Sequence, residues 1–300
     1  MTNLPTGSPP QALVALMALP GAQGSSVADA WSISGVPVVD HAAHASSLSD
    51  EILAACQSNW WAPPEYLPRW ELEPEVAALA ARQWERANAS VGGTGTQVWW
   101  DQRHPLLIDL WLMPGRNLRA AVLLWDTPEQ SVNALQGLGI RPVHAVALWE
   151  HATLHALAAL VDQNVYVCHR RELSTGVPES LLTFLSANGI DVSAVGSPVS
   201  AASLDTFDEG GLDDLLSVLE SVSGPHDAFP TLVLPPMSAA SSELLAAHRA
   251  AHRMGIEARE AWLLADRRER EAARIQAELN STVKGVDRVA AHLLNVLGAP

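Results

Sequence analysis

The feature that most narrows the fold is the stretch Leu13–Trp31, LVALMALPGAQGSSVADAW. Seven apolar residues run without a polar break and stop at Pro20-Gly21. A strand that is apolar at every position has both faces covered, which is the situation of a central strand in a parallel sheet. The small residues that follow form a loop, and the polar-apolar spacing from Ser25 onward opens a helix. A strand, a glycine-bearing loop and a helix in this order outline an anion cradle, because backbone N–H groups converge at a helix N-terminus. The same outline also serves as an ordinary strand-to-helix turn, and no lysine or arginine lies within it.

The rest of the chain repeats the alternation. GVPVVD, TQVWW, LRAAVLLWD and NVYVCH read as strands. SSLSDEILAACQ, PEVAALAARQWERAN, TPEQSVNAL, PVHAVALWEHATLHALAAL and PESLLTFLSANGI read as helices, with Ser47 and Thr127 as caps and Asn188-Gly189 as a stop. Such alternation predicts an α/β chain whose parallel sheet carries helices on both faces. The expected organisation is a loose N-terminus over 1–10, an α/β core over 11–192, a linker with a short acidic helix over 193–237, and a helical C-terminal extension over 238–300. The charge-rich C-terminal helices are expected to pack on the core or to pair with another chain.

Charge narrows the function. A formal net charge of −15 repels phosphate backbones and anionic bilayers, so neither nucleic acid nor membrane is an expected partner. Cys56 and Cys168 are isolated and fit reduced thiols of a cytoplasmic protein, and no basic segment precedes the apolar run as a leader would require. The eleven tryptophans are mainly core material, with some available to line a pocket.

Four segments in series resemble the bacterial sulfotransferase family, whose members use 3′-phosphoadenosine 5′-phosphosulfate (PAPS). LPGAQGSS stands where that family has its 5′-phosphosulfate loop, and LSDEILAACQSNWWAPP is similar to a helix ending in tryptophan and paired prolines. VWWDQRHPLLIDLWL is similar to the family's Trp-Lys-Asp-Pro-Arg turn with its leucine-rich helix, and LRAAVLLWDTPEQSVNAL to the 3′-phosphate strand and helix. The resemblance covers roughly residues 11–190 and implies a P-loop sulfotransferase-like sheet. It places Gly21, Gly24, Ser25 and Ser26 at the 5′ end of the donor, Asp101 and Arg103 in the second motif, and Asp126 with Trp125 and Asn133 at the 3′-phosphate.

Three cations the family uses are replaced here. The loop's basic position falls on Ala22 or Gln23, and the other two hold Trp100 and Trp125. Each charged hydrogen bond to phosphate contributes about 1.5–3 kcal/mol, so three losses weaken donor binding by orders of magnitude. The leading expectation is therefore a sulfotransferase-fold chain with a degenerate donor site. Such a chain would bind a small molecule or a protein partner, or perform altered chemistry in the old cleft. The alternative is active PAPS-dependent transfer to a small-molecule hydroxyl. Here His41 or His44 would serve as base with Asp40 orienting His41, although both histidines also suit an exposed helix start. Trp100 and Trp125 either fill vacated space or form an aromatic wall. Arg170 and Arg171 join Arg103 as surviving cations near the expected cleft. No metal is expected, because His41 and His44 lack further ligands and His248 and His252, flanked by Arg249 and Arg253, read as a solvated basic face. His144, His151 and His155 lie along one helix and include an interior histidine. A self-associating structural protein, or a homo-oligomer joined through the C-terminal helices, completes the expectations.

Overall fold

The uninterrupted apolar run forms β1 (Leu13–Ala18), buried at all six positions in the centre of a six-stranded sheet. This computed structural model describes residues 12–22, 24–36, 38–40, 48–65, 74–90, 96–112, 118–174, 176–193 and 212–297. β2 (Val38–Asp40), β3 (Gln97–Trp100), β4 (Leu118–Trp125), β5 (Val165–His169) and β6 (Gly224–His226) complete the sheet, in the order β2-β3-β1-β4-β5-β6. The first five strands in that order are parallel, with Leu16 opposite Trp100 on one side and Val122 on the other.

β6 departs from the all-parallel expectation by running antiparallel to β5. Gly-Pro-His carries no β-forming residue, and proline is tolerated there because the strand lies at the edge. The segment read as a linker therefore reaches the core. α9 (Asp213–Ser221) and the residues beside it bury Leu212, Leu215, Leu219, Val222 and Phe229.

The period-2 alternation of β1 divides the core in two. Leu13, Ala15 and Met17 face one layer with Trp99, Leu123 and Val167, whereas Val14, Leu16 and Ala18 face the other with Val98, Val122 and Tyr166. The first layer is covered by α2 (Leu48–Ala55), α3 (Pro74–Ser90), α4 (His104–Trp111), α5 (Pro128–Gln136) and α6 (Pro142–Ala159). The second is covered by α1 (Gly24–Ile33), the short α7 (Arg170–Ser174) and α8 (Glu179–Ala187). α6 is buried along fourteen of its eighteen residues, so it lies within the layer and shows no polar stripe.

The C-terminal region is one helix, α10 (Ala239–Leu297), where several were expected. The chain forms two compact units, 1–250 and 251–300, and the division falls inside α10. In the first unit Leu245 is fully buried, His248 stacks on His144 at 3.8 Å between ring centroids, and Arg249 is 8% exposed. The solvated basic face expected here is packed at His248 and Arg249, which share a helical side with Leu245, whereas Arg253 is exposed. In the second unit Met254, Ala258, Ala261, Ala265, Ala272, Ile275 and Leu279 are exposed and follow one another at helical spacings of three and four, interrupted only at Arg268. Among the described residues no helix is long and apolar enough to cross a membrane.

Candidate functional site

Open α/β sheets hold ligands beyond the carboxyl ends of their strands, where connections leave in opposite directions. β1 leads to β2 on one side and β4 to β5 on the other. A cavity of about 520 Å³ lies at this point. Leu19, Pro20, Gly21, Gly24 and Ser25 line it from the first loop and α1, and Trp100, Gln102 and Arg103 from the turn after β3. Pro105 and Leu106 of α4, Ala134 and Leu135 of α5, Leu148 and Ala152 of α6, and Trp60 close the remaining walls.

Both loop glycines answer a packing demand. Gly21 has φ +89°, and a Cβ there would fall on the backbone of Gln130 and Ser131 at the start of α5. A Cβ on Gly24 would run into the Trp100 ring and the Ala18 side chain. Trp100 therefore lies on the loop itself, 4% exposed, and forms one wall. Leu19 N–H donates to the Leu124 carbonyl and Ala22 N–H to the Leu19 carbonyl, which ties the loop to β4.

The turn after β3 is held from α2. Asp101 is fully buried and accepts hydrogen bonds from Ser49 Oγ at 2.7 Å and from the Arg103 backbone N–H at 2.8 Å. Asp50 takes the Arg103 guanidinium in two hydrogen bonds, Nε at 2.9 Å and Nη2 at 3.1 Å. This fork-to-carboxylate geometry is the strongest form of ion pair for arginine. Among the described residues lining the cavity Arg103 is the only charged one, and its charge is already balanced. Next to it His104 Nδ1 lies 3.1 Å from the Leu16 carbonyl, which requires the Nδ1–H tautomer, and burial pushes the ring's pKa down.

The remaining sequence candidates are placed as follows. Gly21, Gly24, Ser25 and Arg103 meet at the cavity, with Asp101 directly behind Arg103. Ser26 and Asn133 are exposed and do not line it. Trp125 points into the α6 layer, edge-on to His169 at 4.3 Å, so of the two replacement tryptophans only Trp100 is an aromatic wall. Asp126 pairs with Arg170 Nε at 2.8 Å, and both are buried. Burial lowers the pKa of His169 and Asp126 partly offsets this. Arg171 is on the surface. Asp40 ends β2 opposite Trp100, while His41 and His44 lie outside the described residues. Among the described residues no group of three His, Cys, Asp or Glu is arranged to hold a metal ion.

Sequence reading missed Asp50, Trp60 and the apolar walls from α4, α5 and α6. Asp50 was legible only as an acidic first-turn residue of α2, since nothing local ties it to a residue 53 positions away.

No known protein family matches this chain, and no curated protein does. Among solved structures it is similar to an uncharacterized protein from Eubacterium ventriosum ATCC 27560. The two are 13% identical, the match covers 49% of this chain and 76% of the other, and the TM-score is 0.27. That likeness is too slight to support an argument about fold or function.

Proposed function

We propose that the cavity at the carboxyl edge of the sheet binds a small, mainly apolar, uncharged molecule. In this reading the chain is a sulfotransferase-like P-loop protein that has left ordinary use of PAPS. The observation that carries the reading is the Asp50–Arg103 pair. The one cation among the described residues lining the cavity is held by two hydrogen bonds to a carboxylate of the same chain. Arg170, the other buried cation of the region, is spent on Asp126 in the same way. A donor bearing several negative charges would have to break such pairs within a chain of net charge −15. The residues present therefore do not fit PAPS, and no transfer step is derived through it. The sulfotransferase-like assignment is supported by placement. The first loop, Trp60, the DQR turn and the end of α5 occur in the family's serial order and line one cavity.

Calorimetric titration with 3′-phosphoadenosine 5′-phosphate tests the reading. No binding at millimolar ligand is expected. Micromolar binding that disappears in Arg103→Ala would restore the PAPS-dependent alternative. On the positive side, an uncharged solvatochromic dye is expected to bind and to be displaced by Ala134→Trp, which narrows the cavity from its exposed rim.

A second reading concerns the C-terminal helix, and the exposed seam at spacings of three and four favours it. We propose that residues 251–297 pair with a second copy of the chain. Such spacing supplies the contact positions of a coiled coil. Residues 251–300 carry eight basic and seven acidic side chains, so two copies meet there without the repulsion that the acidic remainder of the chain imposes.

A further inference from the structure

A second cavity, about 360 Å³, lies against a different set of α6 residues within residues 1–250. Its apolar wall is built from Leu154 and Ala158 of α6, Leu234 and Met237 of the extended segment before α10, and Leu245 of α10. Five polar residues line the same space: Glu65, His151, His155, Ser242 and Arg249.

Arg249 is the unusual one. Its side chain is 10% exposed, yet the carboxylate that balances it belongs to Glu65, whose side chain is 76% exposed. Nη2 donates to Glu65 Oε1 at 3.0 Å and Nη1 to the Pro63 carbonyl at 3.3 Å. A buried guanidinium needs an anion. Here a surface side chain supplies it from the rim, through the kind of exposed contact that contributes little and is readily exchanged. Glu65 therefore occupies the place of a carboxylate that could come from outside.

The histidines add no charge, and the N–H of each neutral ring is taken by the backbone. His155 Nδ1 donates to the Pro105 carbonyl at 2.7 Å, and His151 bonds the Pro64 backbone. Burial holds His151 at about 3 and His155 at about 4, and the neighbouring His155 and Arg249 further depress His151. At neutral pH the site thus offers one positive charge, two neutral imidazoles and an apolar wall. A monoanion satisfies it, whereas a dianion is left with uncompensated charge.

We infer that this cavity is a second binding site, taking a monocarboxylate with an apolar body. The ligand carboxylate replaces Glu65 on Arg249, and the apolar body lies against Leu154, Ala158, Leu234 and Leu245. The site shares no lining residue with the neutral-ligand cavity proposed above.

The test is calorimetric titration of the full chain with octanoate at neutral pH, with octanamide as the uncharged control. Octanoate is expected to bind at least about tenfold more tightly than octanamide, the difference made by one charged hydrogen bond. Glu65→Gln removes the internal competitor and is expected to tighten octanoate severalfold, and Arg249→Leu to abolish binding. Because Arg249 is buried and its loss could disturb folding, the exposed Glu65→Gln variant decides the matter. Failure of millimolar octanoate to bind that variant, an affinity unchanged by Glu65→Gln, or equal affinity for octanamide would each overturn the inference. Ala134→Trp, in the first cavity, is expected to leave octanoate binding intact. Loss of binding in that variant would place the ligand in the first cavity and overturn the inference as well.

Discussion

Asp50 and Arg103 set the chemical character of the first cavity, and the contact is open to a direct test. Asp50→Asn leaves the 11%-exposed Arg103 side chain without its carboxylate and is expected to lower stability by about 1–3 kcal/mol. It also frees a guanidinium at the cavity. The same variant is expected to gain measurable affinity for 3′-phosphoadenosine 5′-phosphate, by about tenfold or more, as read by calorimetry. Gly24 gives the complementary prediction. Gly24→Ala drives a methyl group into the Trp100 ring and is expected to destabilise by about 1–3 kcal/mol in urea unfolding. Replacing Trp100 by Leu in the same chain is expected to relieve part of that loss. Gly21, Gly24, Ser25 and Arg103, which the sequence singled out through the family resemblance, line the cavity. The partner of Arg103 was not legible in the sequence, since ion pairing between distant segments leaves no local pattern.

At the scale of elements, long apolar periods read well and short edges read badly. β1, β4, α5 and α6 stand where their patterns put them, since burial on two faces leaves continuous apolar runs. β6 carries no such pattern because it borrows its pairing from β5. α6 shows what helical spacing alone could not tell. His144, His151 and His155 are all interior, and each is anchored to a backbone group, at Trp61, Pro64 and Pro105 respectively. This has a pH consequence with a defined sign. His151 and His155 titrate at about 3 and about 4 in the folded chain, against 6.5 when exposed. Below 6.5 the unfolded chain binds more protons, so their stabilising contribution is complete above that pH and declines as pH falls towards 4. Between pH 7 and pH 5 each histidine is expected to remove about 2 kcal/mol. His155→Gln is expected to flatten the decline, measured as urea midpoints across that range.

For the whole molecule, charge is distributed unevenly. Residues 251–300 are nearly balanced, so the first 250 residues hold essentially all of the −15. Sedimentation at rising concentration is expected to show self-association of the full chain, and Ile275→Glu with Leu279→Glu is expected to abolish it. Failure of that double variant to change the sedimentation behaviour would remove α10 as the contact. The helical character of this region was legible from its charge pattern. Its continuity as one helix was not, because Gly255 reads as a weak point in a helix, whereas the structure carries the helix through it with open space around it.

The Trp100 ring resting on Gly24 also bears on how this corner tolerates change. A Cβ at 24 would meet both that ring and the Ala18 side chain, so positions 18, 24 and 100 form one packing unit. Substitutions among the three are expected to be non-additive, the effect of each set by what stands at the other two.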